Sequence, residues 1–261
     1  MPDVASDHIA RTFDLRALSA SFTRKGGGTR VSSMIDHAHD LLCVQDATER
    51  LLTAVAKLDD ASVATSSRLP GWSRGHVLAH LSRNADALVN VLAGRPMYVD
   101  AAARDADIER DAPRPLEAHL TDLRESAARF QEAAGVPGDW SRTVELRNGV
   151  TDSASRLPFR RWVEVELHHV DLGIGYELED LPEEFTERET GFLADRFAGH
   201  PDVPPTRLTD GTRAWRTGRP GDAPETAVTG APADLLGWLA GRRDGAALTV
   251  SGGSLPALPP L

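Results

Sequence analysis

The stretch Arg160-Arg161-Trp162-Val163-Glu164-Val165-Glu166-Leu167-His168-His169-Val170-Asp171 decides how the first two thirds of this chain are read. Pro158, just ahead of it, suits the first turn of a helix, and Gly173 and Gly175 close that helix. Phe159, Trp162, Val163, Leu167 and Val170 give the helix its apolar positions. Glu164 and His168 are four apart, so a helix stacks them on one face with side chains able to converge on a point. Carboxylate and imidazole offered together are ligands for a divalent cation such as Zn2+. The same spacing also makes an ordinary solvated salt bridge.

Working outward, the helical period recurs upstream. Ile35, Ala38, Leu41, Leu42, Ala47, Leu51, Leu52 and Val55 predict a helix from Met34, ended by Asp59-Asp60. Leu69-Pro70-Gly71-Trp72-Ser73 reads as a turn with Ser73 as N-cap. A second helix then carries Val77, Leu78, Leu81, Ala85, Leu88, Val91 and Leu92, and Gly94-Arg95-Pro96 stops it. A short helix is predicted over 101–110. Pro115 suits the first turn of a third long helix, with Leu116, Leu120, Leu123, Ala127 and Phe130 on one face and Gly135 at its end. Residues 136–155 read as irregular, anchored by Trp140. Four long helices imply a four-helix bundle over 34–175. The texture then changes. A helix is predicted from Pro182 to Gly199, followed by short β-like runs at 206–209, 213–217, 226–229 and 247–251 and a helix over Pro232–Leu239. The expected fold is therefore α+β in two domains, a bundle and a small α+β domain over 176–261. Residues 1–33, with the basic, Gly-rich run Arg24-Lys25-Gly26-Gly27-Gly28, read as a weakly ordered tail.

Composition narrows the function. Of 261 residues, 26% are charged and 41% hydrophobic, as in ordinary globular proteins. The net charge of −10 repels phosphate backbones, and no basic patch offsets it, so a nucleic-acid partner is not expected. No apolar run approaches a membrane span, and the N-terminus lacks a leader-like apolar core. The expectation is a cytoplasmic protein, a monomer or weak oligomer, with small-molecule partners. The single cysteine, Cys43, excludes an intrachain disulfide and a cysteine metal cage. It falls among apolar residues with no base beside it, so it reads as inert.

Two other places could carry chemistry. His80, in His76-Val77-Leu78-Ala79-His80-Leu81, lies among apolar neighbours and could be a satisfied core residue. In a bundle, facing helices also build metal sites from inward ligands. His80 with Glu164 and His168 would supply two imidazoles and one carboxylate, leaving a coordination position open as catalytic sites do. Spacing alone leaves His76 as a rival to His80, and His169 as a rival to His168. Arg242, just past a helix end at Gly241, is either a surface charge matching the helix dipole or a guanidinium that grips a carboxylate.

At these residues the chain resembles the mycothiol-dependent maleylpyruvate isomerases, within the DinB-like metal-binding four-helix bundles. The likeness lies in Leu69-Pro70-Gly71-Trp72-Ser73-Arg74 with Ala79-His80-Leu81 and Asn84-Ala85, and in Pro96-Met97-Tyr98-Val99 with Ala103-Arg104 and Ile108-Glu109. It continues in Arg161-x-x-Glu164-x-x-x-His168-x-Val170-Asp171-Leu172 and in Gly241-Arg242. The resemblance implies that His80, Glu164 and His168 hold a divalent metal, expected to be zinc, and it selects His168 over His169. It implies a catalytic role for Arg242 and mycothiol as thiol cosubstrate. The implied reaction converts maleylpyruvate, a dicarboxylate of aromatic-compound catabolism by the gentisate route, to fumarylpyruvate. A thiolate adding to the cis double bond makes it single, rotation follows, and elimination returns the thiol. A mycothiol S-transferase on the same fold, a metal hydrolase and a non-catalytic metal-binding bundle are the competing readings.

Overall fold

The computed structural model describes residues 36–219 and 225–259. The tail read over 1–33 lies outside the described residues. These fall into two compact units, one ending at Ile174 and the other beginning at Gly175. An α-helical bundle followed by a small α+β unit bears out the α+β reading.

The first unit contains helices α1 (His37–Val55), α2 (Asp60–Ala64), α3 (Arg74–Leu92), α4 (Ala101–Asp111), α5 (Leu116–Gly135) and α6 (Leu157–Asp171). The four long ones, α1, α3, α5 and α6, form the bundle: α3 packs on α5 and α6, and α1 on α5 and α6. Their apolar stripes meet in a core that includes Leu51, Leu78, Leu81, Phe130, Trp162 and Leu167, all buried. The helix starts follow side-chain chemistry. Asp36 accepts from the amides of Ala38 and His39 at the head of α1. Ser73 and His76 form a reciprocal capping box at the head of α3.

Three local readings are corrected. Asp59 and Asp60 do not end α1, which stops at Val55; Asp59 caps α2 by accepting from Ser62 N at 2.7 Å. Pro115 is the N-cap of α5 and not part of its first turn. Residues 136–155 are not irregular throughout. They hold a hairpin of β1 (Thr143–Glu145) and β2 (Thr151–Ser153), with Val144 opposite Asp152. Its turn is Asn148-Gly149, with φ of 61° and 72°, the pair of left-handed residues that a tight hairpin needs. Trp140 does act as an anchor, stacking on His37 with ring centroids 4.3 Å apart.

The second unit contains α7 (Glu183–Arg196), β3 (Thr206–Thr209), β4 (Ala214–Thr217), β5 (Thr226–Thr229), α8 (Pro232–Leu239) and β6 (Thr249–Ser251). The sheet order is β4-β3-β5-β6, with β3 and β5 parallel and both outer pairs antiparallel. Leu208 and Val228 are paired on the central strands and fully buried, and α7 packs against α8.

One glycine fixes how closely α4 approaches α3. A Cβ at Gly75 would collide with the backbone carbonyl of Ala112, at the end of α4. Gly75→Ala is therefore expected to destabilise the bundle by about 1–3 kcal/mol, read as a lower urea midpoint. An unchanged midpoint would show that α4 yields without cost.

Candidate metal centre

The site is built where α3 and α6 run side by side, and their register is set at one end. Arg74, the first residue of α3, donates from Nε to Leu172 O (2.8 Å) and from Nη2 to Gly173 O (3.0 Å). Arg68 N donates to Asp171 O at 2.8 Å. The last carbonyls of α6, which have no partner within the helix, are thus satisfied by the segment that starts α3.

Above this pin, three side chains converge. Nε2 of His80 lies 2.9 Å from Oε2 of Glu164, and Nε2 of His168 lies 3.3 Å from the same oxygen. The two imidazole rings meet edge to face, with centroids 4.7 Å apart. One ligand atom from each residue fits within a 4.8 Å span. Both histidines are buried and Glu164 is half-buried. Trp72 packs beside His80, its ring centroid 5.5 Å from that of His80. His168 Nδ1 donates to Asp171 Oδ2 at 2.9 Å, so in the neutral ring the Nε2 lone pair faces the cluster. That buried Nε2 makes no hydrogen bond. Two imidazole nitrogens and a carboxylate around such an atom are a donor set suited to a divalent cation.

The electrostatics differ among the three groups. Burial opposes charge on all three groups. It prevails at His80, whose pKa drops to about 4, so this ring is neutral near pH 7. At Glu164 burial is outweighed by the close approach of His168 and His80, and the carboxyl stays well below its ordinary range. At His168 burial is outweighed by Asp171 and Glu164, which raise its pKa.

The rivals are separated by what they touch. His76 belongs to the helix cap, with Nδ1 2.7 Å from Ser73 Oγ and Nε2 3.3 Å from Glu109. His169 is buried but is not part of the cluster. Cys43 is corrected in one respect: its Sγ lies 3.5 Å from His39 Nε2, one turn back on α1, so a base does stand beside it. Arg242 belongs to the second unit, where its backbone is held by the end of α8. Gly241, at φ 69°, lets Arg242 N reach Gly237 O (2.7 Å) and Gly241 N reach Trp238 O (3.1 Å). Its Nη1 donates to Ala240 O, whereas the neighbouring Arg243 is bound to Asp234 and Glu179.

A family model described as the mycothiol maleylpyruvate isomerase N-terminal domain matches residues 44–173, and one described as the MDMPI C-terminal domain matches residues 180–260. The chain belongs to the mycothiol-dependent maleylpyruvate isomerase family. Two solved structures resemble it over 86% of this chain and 96% of theirs. One is a mycothiol-dependent maleylpyruvate isomerase, 27% identical with a TM-score of 0.75. The other is a histidine-to-alanine mutant of a mycothiol-dependent maleylpyruvate isomerase, 26% identical with a TM-score of 0.77. No curated protein matches the sequence.

One neighbour of the cluster carried no assigned role in the sequence reading, although it falls in the family-like segment. Arg104 of α4 is buried and places Nη2 3.3 Å from His80 Nδ1. Asp171, one turn beyond His168, orients that ring by accepting from its Nδ1. Its carboxylate is expected to matter to metal affinity in this maleylpyruvate isomerase family member: Asp171→Asn should weaken zinc binding about 10–100-fold, measured by competition with a chromophoric chelator. His169→Ala should leave one zinc per chain. The opposite pattern would move the ligand from His168 to His169.

Proposed function

We propose that this chain is a mycothiol-dependent cis–trans isomerase that converts maleylpyruvate to fumarylpyruvate, with zinc held by His80, Glu164 and His168. The observation that carries the reading is the buried Nε2 of His168, oriented by Asp171 and left without a hydrogen bond beside Glu164 and His80, in a chain of this family. A divalent metal held there would lower the pKa of a thiol brought to it and keep it as thiolate at neutral pH.

The nucleophile is assigned to an external thiol, and Cys43 is not among His80, Glu164 and His168, the residues that would hold the metal. Sulfur forms a bond to one alkene carbon, and the alkene pair moves into the conjugated carbonyl as an enolate. The former double bond rotates. The enolate pair then re-forms the double bond in the trans geometry and expels the thiolate, with no net oxidation or proton change. Glu164, ionised, supplies a ligand oxygen without first losing a proton, and His80, neutral at pH 7, offers Nε2 once its ring proton sits on Nδ1. Trp72 packs on His80, with ring centroids 5.5 Å apart. Arg242 is assigned to the anionic side of the reaction, neutralising a substrate carboxylate or the enolate.

The test is an absorbance assay of maleylpyruvate with and without mycothiol. Turnover is expected only with the thiol, and Cys43→Ser should retain it. Arg242→Lys keeps the charge but loses the planar fork, and should lower the rate about ten- to a hundredfold while zinc content is unchanged. Equal turnover without thiol would overturn the mechanism. Accumulation of a stable thioether instead of fumarylpyruvate would make the chain an S-transferase.

A further inference from the structure

Arg104 stands out because its guanidinium is buried beside a proposed metal ligand, and its carboxylate partner, Asp105, is partly exposed. Arg104 is 4% exposed. The carboxylate it pairs with is that of the adjacent Asp105, reached from Nη1 at 2.6 Å, and that side chain is 42% exposed. Its Cζ lies 5.9 Å from the centre of the Tyr98 ring, and the guanidinium also donates to the Tyr98 hydroxyl. Tyr98 adds no negative charge, since burial raises its phenol pKa and keeps it protonated. Its Nη2 meets His80 Nδ1 at 3.3 Å. The other buried guanidinium near these helices, that of Arg161, is committed differently. Its Nη1 donates to Leu81 O and to Asn84 Oδ1, both at 2.8 Å.

The contact between Arg104 and His80 has a definite polarity. A guanidinium has donors and no acceptor, so Nδ1 of His80 must be the acceptor. The proton of the neutral ring is then on Nε2, donated to Glu164 Oε2 at 2.9 Å. This arrangement cannot survive a cation at Nε2. Once the Nε2 lone pair is given away, the ring proton can sit only on Nδ1, and two N–H donors face each other. The guanidinium must turn off His80, and a buried cationic donor is released next to the coordination site. An anionic acceptor satisfies it far better than an imidazole.

We propose that Arg104 is a carboxylate-binding residue of the metal centre, and that it takes up this role when metal binding at His80 displaces it. Metal therefore binds before the anion, and the anion is held by the released Nη2. The inference rests on the metal site proposed above, not on the isomerase reaction.

Maleate, the four-carbon cis dicarboxylate, is the probe, used with the full chain stripped of metal and then reloaded with zinc. Calorimetry is expected to show maleate binding to the zinc-loaded protein and at least about tenfold weaker binding without zinc. Zinc-loaded Arg104→Gln should also bind maleate at least about tenfold more weakly. Its zinc affinity, read by chelator competition, should equal or exceed that of the wild type, because the opposing donor is gone. Arg104→Lys, which keeps a cation there, should fall between, and it supplies the comparison if the glutamine variant does not fold. Maleate binding that is absent from the zinc-loaded wild type, equal with and without zinc, or indifferent to Arg104 overturns the inference. So does a zinc affinity of Arg104→Gln below wild type, which would make Arg104 a support of His80. A wild type that takes up no zinc removes the metal site itself. A zinc-loaded chain that binds maleate through Arg104 yet isomerises nothing leaves this inference standing and removes the proposed activity.

Discussion

The contacts that tie the end of α6 to the start of α3 govern the rest of the first unit. Arg74 and the amide of Arg68 take the carbonyls of Leu172, Gly173 and Asp171. With that point fixed, the helical rise does the remaining work. His80 lies six residues along α3 from Arg74, about 9 Å, and His168 four residues back along α6 from Leu172, about 6 Å. The two rings arrive at nearly the same level, and Glu164, one turn further along α6, meets them both. A slip of one residue in either helix would turn a ligand away from the other two by about 100°.

A polar stripe inside a bundle is costly unless its members satisfy one another. On α6 that stripe is Arg161, Glu164, His168 and Asp171, spaced three, four and three apart, as apolar core positions would be. Each has a partner toward α3 or within α6: Arg161 with Leu81 and Asn84, Glu164 with both histidines, His168 with Asp171. A second buried polar pair lies elsewhere on the helix, where Glu166 accepts from Trp162 Nε1 at 3.0 Å and from Arg50 Nη2. The helix therefore presents polar groups to two neighbours while its apolar residues fill the spaces between.

The long elements were legible in the sequence because period and punctuation agreed. Ser73 before α3, Pro158 at the start of α6 and Gly94, Gly173 and Gly241 after helices each have one conformational reason to be where they are. Strands β3 and β5 were legible from short β-branched runs between turn residues. The hairpin at 143–153 was misread although Asn148-Gly149 announced it, because three-residue strands are too short to show alternation. The short α2 was misread because Asp59-Asp60 can stop one helix as well as start another. Among the site residues, Glu164 and His168 follow from spacing on one helix. The pairing with His80 depends on how two helices meet, which spacing alone does not give. Arg104 had no ligand-like spacing to betray it: an arginine in a short, polar helix looks like a surface charge until α4 is packed against α3 at Gly75.

The close of α8 bears on how such a protein diversifies. Two main-chain hydrogen bonds and a left-handed glycine hold the backbone at Arg242, and none of them involves its side chain. Location and chemical identity are thus specified by different atoms. The main-chain path through 242 is held by backbone atoms, while the guanidinium adds its own bond from Nη1 to Ala240 O. Under the anion-binding role proposed for Arg242, a substitution there would change the ligand-facing group while the main-chain bonds of the turn stay in place.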